Sequence, residues 1–272
     1  MLVCFFVFLF IIGACLGSFL CCQARRLHLK ETASKKSRSA LGRRSVCLSC
    51  KYQLKWYDNL PIVSWLCLRG KCRKCGQKIG ATEILAEIGV GLAFLIMGTT
   101  IDLLTATPLA WATFLMLILF TLVLSFLAIY DGLYGELPSL CLTIAIICAT
   151  IILILKEWTI LSVSPFTSTL ILDPLAAVLI LGGLYLVLYL VSKGKWVGDG
   201  DWLLGLALGL ALGHPWLALA TLFLSNFLAC LTIIPLAKGH HSRRIYFGPF
   251  LVIAFVIVYG LSGWLLTLLS VV

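Results

Sequence analysis

Charged residues are scarce in this sequence. Only 12% of its 272 residues are Asp, Glu, Lys or Arg, whereas soluble domains carry about 25%. Hydrophobic residues make up 61% of the chain, and the mean hydropathy is +1.09. A chain with so little charge cannot cover its surface for water, which excludes a soluble globular protein. The lipid bilayer is therefore predicted to be its solvent.

Acidic residues are scarcer than basic ones, at 11 Asp and Glu against 21 Lys and Arg. The excess is local, because 15 of the 21 lie between Arg25 and Lys78. This asymmetry indicates a cytosolic segment that obeys the positive-inside rule, and attraction to anionic membrane lipids accounts for its charge. No basic stripe with interleaved aromatic residues accompanies it, so a nucleic-acid partner is not expected.

Eight apolar runs are predicted to form membrane helices, because an open sheet edge is not tolerated in lipid. They cover residues 2–22, 84–101, 109–130, 138–155, 174–192, 202–213, 216–236 and 248–269. The expected fold class is an all-α polytopic membrane protein of about eight transmembrane helices, with a small cytosolic zinc-ribbon-like insert between helices 1 and 2. The sixth run spans only about 18 Å, so it must borrow residues from 195–201 or share a bent hairpin with the seventh.

The first run has no basic residue before it and is followed by Arg25 and Arg26. We therefore expect an uncleaved anchor with its amino terminus outside. If each span then crosses the membrane in turn, 20 of the 21 Lys and Arg lie on the cytosolic side. The cytosolic segments are 23–83, 131–137, 193–201 and 237–247. The predicted domains are a first transmembrane helix at 1–22, a basic cytosolic loop at 23–83 and a seven-helix membrane domain at 84–272.

Four of the 12 cysteines form two CxxC pairs in the basic loop. These are Cys47, Cys50, Cys72 and Cys75. Two such pairs separated by 21 residues predict a closed, tetrahedral, structural zinc site. The alternatives are disulfide pairing, which a reducing cytosol disfavours, and unmetallated packing cysteines. Cys67 is interpreted as a packing residue, and the other seven lie in apolar runs where Cys acts as a small hydrophobe.

Two of the few acids lie at predicted helix ends on the cytosolic side. Asp131 ends the third span in AIYDGLYGELPS, and Asp201 opens the sixth in KWVGDGDWLLG. An ionisable residue beside a membrane helix is a candidate functional group. The two carboxylates can meet if the third and sixth spans pack together. The alternatives are structural: a turn residue with Gly132 for Asp131, and a helix N-cap for Asp201.

Two opposed carboxylates are the groups that water-mediated peptide hydrolysis requires. One, ionised, takes a proton from water, while the other, protonated, polarises the scissile carbonyl; two like charges held close together share one proton. A helix C-terminus disfavours an anion and a helix N-terminus stabilises one. We therefore predict that Asp131 holds the shared proton at rest.

Six ordered motifs over nearly the whole chain resemble those of the type IV prepilin leader peptidases, bacterial membrane aspartic proteases with a Gly-x-Gly-Asp motif. They are GSFLCCQARRL, the CxxC pairs with YDNLP between them, EILAEIGVGL with Glu87, DGLYGELP, GDGD at 198–201, and YFGPFL. The chain departs from the family at Leu203, where Lys is usual, and at Ser139, where Asp or Asn is usual. Neither is a catalytic position.

The resemblance implies that Asp131 and Asp201 are the catalytic aspartates. It implies that Gly198 and Gly200 let the backbone approach a substrate strand, and that Asp199 is a supporting acid. The implied substrates are prepilin or pseudopilin precursors, cut at the cytosolic face of the bacterial inner membrane. N-methylation of the new amino terminus from S-adenosylmethionine is implied by the resemblance alone, since no glycine-rich cofactor loop occurs.

Three other interpretations compete with this one. A related GxGD intramembrane protease of other substrates would not need the CxxC loop. A transporter that relays protons or ions would place its acids near the bilayer midplane, often in inverted repeats, whereas both acids here are expected at one face. An inactive scaffold would have no reason to retain both aspartates and all four cysteines.

Overall fold

The computed structural model describes residues 2–32, 47, 49–50, 52–163, 169–195, 197–237 and 246–270. These residues form helices joined by short loops, and their one β-bridge pairs Lys71 with Lys78. The helices are α1 (Leu2–Thr32), α2 (Val63–Cys67), α3 (Ala81–Gly98), α4 (Pro108–Tyr134), α5 (Ser139–Val163), α6 (Thr169–Val178), α7 (Leu184–Ser192), α8 (Asp199–Leu212), α9 (Pro215–Ala237), α10 (Gly248–Gly260) and α11 (Ser262–Ser270). A 3₁₀ turn covers Trp56–Asn59, and a π-helical turn at Leu179–Gly183 joins α6 to α7.

Six helices of the described chain are long and apolar enough to cross a membrane, and a seventh span arises if the bent pair α10 and α11 is counted as one. The predicted all-α polytopic membrane fold is therefore confirmed. The first helix extends past the predicted end at residue 22 and stops at Thr32. The sixth apolar run forms α8, which has 14 residues and is about 21 Å long.

The chain divides into two compact units, Met1–Gly98 and Thr99–Val272. In the first unit α1 packs along α3 through small residues. A Cβ at Gly17 would lie 2.6 Å from the carbonyl oxygen of Ala86, and one at Gly13 would lie 2.8 Å from that of Val90. Only glycine permits this approach, and close backbone contact is a common basis for helix association in lipid.

In the second unit α8 lies at the centre and contacts α5, α6, α7, α9 and α10. Leu204, Ala207, Leu208 and Ala211 of α8 are fully buried. Eight of the 14 residues of α8 are buried, so protein rather than lipid covers most of this helix and it need not match the bilayer thickness. This surrounding explains how a helix of 14 residues is accommodated among longer spans.

Candidate active site and metal centre

Asp131 lies in the last turn of α4. Gly135 follows the helix in the left-handed conformation (φ 71°) and donates its N–H to the Asp131 carbonyl over 2.7 Å. A glycine in this conformation is a common helix terminator because it has no Cβ to oppose a positive φ. The DGLYG sequence therefore ends α4 one turn after the aspartate.

The Asp131 side chain is 6% exposed and is held by a residue far along the chain. Its Oδ2 accepts the N–H of Gly248, the first residue of α10, at 2.9 Å. A Cβ at Gly248 would lie 2.6 Å from the same oxygen, so only glycine leaves room for the carboxylate. The C-terminus of α4, which led us to predict a protonated Asp131, disfavours the anion. The N-terminus of α10 acts in the opposite sense, and the protonation state stays a prediction.

Asp201 lies in the first turn of α8 and folds back onto the start of its own helix. Its Oδ2 accepts the N–H of Gly198 at 3.1 Å, the geometry of a capping residue. A Cβ at Gly200 would lie 2.7 Å from the Cβ of Leu137, so this glycine makes room for the segment that follows α4. Asp201 is half-buried, whereas Asp199 is exposed.

The second unit brings Asp131 near enough to Asp201 for the charge of Asp201 to act on it, and Gly200, next to Asp201, lies against Leu137 of the segment that follows α4. Asp131 is presented by the end of α4 and Asp201 by the beginning of α8. Among the described residues, the hydrogen-bond partner of each carboxylate is a backbone N–H, which orients the carboxylate without neutralising its charge. The pair can therefore exchange a proton with water or a bound substrate.

Tyr185 of α7 is a neighbour of this pair that sequence reasoning missed. The tyrosine is buried, and its ring lies 5.5 Å from that of Phe247. Phe247 precedes Gly248, the donor to Asp131. The YFGPFL sequence did contain a signal for the start of α10 at Gly248, because a proline in this position is typical of the first turn of a helix.

The four predicted cysteine ligands form one cluster. Their Sγ atoms all lie within 4.8 Å of one another, with Cys47 3.9 Å from Cys75 and Cys50 4.0 Å from Cys72. A tetrahedron with metal–sulfur bonds of about 2.3 Å has edges of about 3.8 Å. Cysteines in a disulfide would have sulfurs about 2.05 Å apart. The cluster therefore has the spacing of a metal site.

Backbone groups and one buried acid order this cluster. The N–H groups of Cys50 and Ser49 lower the pKa of the Cys47 thiol to about 6, which favours the thiolate that a metal binds. Asp58, buried in the 3₁₀ turn, accepts from Arg73 Nε at 2.8 Å and from the Lys55 N–H at 3.2 Å. Arg73 lies between Cys72 and Cys75, so this ion pair joins the second CxxC turn to the segment between the two pairs.

Glu87 of α3 holds the same insert against the membrane helix. Its carboxylate is buried and accepts the N–H of Ile62 at 2.7 Å. Ile62 has a positive φ of 63°, which is unusual for a β-branched residue. The Glu87 bond therefore stabilises a backbone conformation that Ile62 would not adopt alone. The sequence motif contained Glu87, but its partner is a backbone group that no pattern reveals.

These features define a class, a multi-pass helical membrane protein with an insert after its first helix whose four clustered cysteines could hold a metal ion. Residues 11–101 match the family model described as the bacterial peptidase A24 N-terminal domain. No solved structure matches the chain.

Relatives of known name match more of the chain. It is 32% identical over 215 residues to the prepilin leader peptidase/N-methyltransferase of Aeromonas salmonicida strain A449, covering 78% of this chain and 69% of the relative. The protein of that name from Aeromonas hydrophila is 31% identical over 232 residues, covering 82% and 75%. The Myxococcus xanthus protein is 42% identical over 90 residues, which are 33% of this chain and 25% of its own length. The chain belongs to the prepilin leader peptidase/N-methyltransferase family.

Proposed function

We propose that this chain is a membrane aspartic endopeptidase that removes the short basic leader of type IV prepilins and pseudopilins, with Asp131 and Asp201 as its catalytic pair. The proposal is supported by the approach of the end of α4 to the start of α8, where Leu137 lies against Gly200 and the charge of Asp201 acts on Asp131, in a member of this family. The names of the relatives supply the substrate class.

Hydrolysis by such a pair needs one ionised and one protonated carboxyl group. The ionised group takes a proton from the attacking water, and the protonated group donates a hydrogen bond to the scissile carbonyl oxygen. The N–H of Gly248 orients Asp131 and the N–H of Gly198 orients Asp201. Gly200 and the exposed Asp199 are proposed to support the pair, since Gly200 admits Leu137 beside the helix start and the charge of Asp199 acts on Asp201.

Zinc is the metal proposed for Cys47, Cys50, Cys72 and Cys75. Four thiolates complete a tetrahedral shell and leave no open position, so the ion would supply folding energy to the insert and no chemistry at the scissile bond. N-methylation of the new amino terminus from S-adenosylmethionine is proposed from the relatives' name. No residue is assigned to it and no step is derived for it.

The test is incubation of the purified protein with a prepilin-like precursor in detergent or vesicles. We expect one new amino terminus at the boundary between the leader and the apolar helix. A transporter would leave the precursor intact. A general GxGD protease would cleave an unrelated membrane stub as well, so such a stub belongs in the same experiment.

The inner membrane is the proposed location, with the aspartate pair on the cytosolic side. Introduced cysteines at Leu133 and Lys195, on a background without reactive native thiols, should react with an impermeant reagent only from the cytosol. The matched site is Leu104, which is 80% exposed in the loop before α4 and should react only from outside. Labelling of position 133 or 195 from outside would overturn this orientation.

The close contact between Gly248 and Asp131 leads us to predict the effect of a substitution at Gly248. In Gly248→Ala the new methyl group would lie 2.6 Å from Asp131 Oδ2, so the carboxylate must move. A displacement of about 1 Å costs on the order of 10²-fold in rate, and we expect a loss of that size in the cleavage rate.

Gly132→Ala is the matched control for this substitution. Among the described residues, its Cβ would meet Pro249 at 3.7 Å, which is an ordinary contact. The cleavage rate of this variant should stay within a few-fold of the wild-type rate. Equal rates for the two variants would contradict the proposed role of Asp131.

A further inference from the structure

An exposed apolar edge runs along one stretch of the insert. Trp56 is 77% exposed, Val63 55% and Leu66 58%, and Leu60 is also exposed. Val63 and Leu66 are three residues apart in α2 and therefore lie on one face of that helix. We call these four residues the apolar edge. Large exposed apolar patches mark protein-binding or membrane-binding sites, and these four residues lie within 11 positions of one another in the sequence.

The depth of the apolar edge follows from the bond between Glu87 and Ile62. Glu87 is the seventh residue of the membrane span Ala81–Gly98, about 9 Å along the helix from its first residue. Since Ile62 donates to Glu87 at 2.7 Å and directly precedes Val63, α2 begins beside the second turn of a span.

An ion pair lies one turn before Glu87 on α3. Glu83 lies one turn closer to the start of α3 and pairs with Arg25 of α1 at 2.6 Å, both side chains being partly exposed. A charged pair of this kind belongs with the headgroups rather than with the acyl chains. The start of α2 lies one turn further into the span than this pair, so exposed side chains there meet the upper acyl region.

The exposed charged side chains of the insert are all basic where the structure describes them. Between Cys47 and Gly80 the sequence has seven Lys and Arg and one acid, Asp58, which is buried and paired with Arg73. Lys55, Lys71, Lys74 and Lys78 are exposed. Such a surface is complementary to anionic lipid headgroups and repels the basic leader of a precursor. An apolar face flanked by lysines is also the composition of segments that lie in the membrane interface.

We propose that the apolar edge inserts into the headgroup–acyl boundary of an anionic lipid surface, and that Glu87 holds it at this depth through Ile62. The insert is then a membrane-embedded element, in addition to carrying the metal cluster. The proposal depends on the membrane spans and on contacts within the first unit, and it does not depend on the peptidase activity.

Photocrosslinking of the full chain in phosphatidylglycerol-containing vesicles tests the proposal. A benzoylphenylalanine at position 63 or 66 should give mainly lipid adducts, detected by mass. At Gln53, a polar exposed residue of the same insert, the adduct yield should be at least about 5-fold lower. Vesicles of zwitterionic lipid alone should lower the yield at 63 and 66 several-fold.

Two further variants distinguish a change in the membrane depth of the apolar edge from unfolding of the insert. Glu87→Ala should reduce the lipid adduct at position 66 several-fold while the bound metal is retained, and Glu87→Gln, whose amide oxygen can still accept the Ile62 N–H, should restore much of it. With the precursor present, crosslinks from position 66 to the precursor would show a substrate-docking surface and overturn the proposal. Crosslinks to a second copy of the chain, or equal lipid yields at 53 and 66, would also overturn it.

Discussion

Asp131→Asn and Asp201→Asn are each expected to lower the rate of precursor cleavage by at least about 10³-fold. An amide can neither take a proton from water nor donate an acidic proton to the scissile carbonyl, and such proton transfers contribute on the order of 10²–10⁴ each. The amide oxygen can still accept the N–H of Gly248 or Gly198, which the carboxylates accept now. The loss should therefore be chemical, with an unchanged melting temperature.

Asp199→Asn is the matched control, since it makes the same change two residues from Asp201 at an exposed position. It should keep the rate within a few-fold of wild type. An active Asp201→Asn protein would refute the assignment. Loss of cleavage on changing Asp199 alone would move the catalytic role to that residue.

Elemental analysis of the purified protein should find about one zinc per chain, and Cys47→Ser with Cys75→Ser should remove it. These two sulfurs form one edge of the cluster, at 3.9 Å, and two remaining thiolates do not complete a tetrahedral shell. Structural zinc contributes apparent binding free energies of about 10–16 kcal/mol in small domains, so the residues between the CxxC pairs should become sensitive to protease.

Cys67→Ser provides the control for this experiment. Cys67 is an exposed cysteine of the same insert but is not part of the cluster. Its substitution should leave both the metal content and the protease resistance unchanged. A wild-type protein that binds no metal and contains Cys47–Cys50 and Cys72–Cys75 disulfides would disprove the metal site and the cytosolic placement of the insert.

The sequence predicted those features that depend on local pattern. Long apolar runs predicted the membrane helices, and the CxxC spacing predicted which four thiols meet, because each knuckle is a local turn. The continuation of α1 to Thr32 was missed, since basic residues continue a helix as readily as apolar ones once lipid no longer selects for hydropathy. The predicted division into a first helix at 1–22, a basic loop at 23–83 and a membrane domain at 84–272 stays a prediction.

Contacts between a side chain and a distant backbone group were beyond the reach of the sequence. The bonds from Gly248 to Asp131 and from Ile62 to Glu87 each use an N–H that every residue except proline carries. Nothing in the residue types indicates which N–H will be chosen. The same limit applies to the short helix α8, whose burial depends on how five other helices pack against it.

The bond between Asp131 and Gly248 also has a consequence for biosynthesis, because its partners lie 117 residues apart. At elongation rates of about 5–20 residues per second, roughly 6–23 s pass between synthesis of the aspartate and synthesis of the glycine that orients it. A nascent chain that has inserted α4 and α8 already contains both carboxylates, but it lacks the group that holds one of them in place. The order of synthesis thus delays formation of this contact until most of the chain has been made.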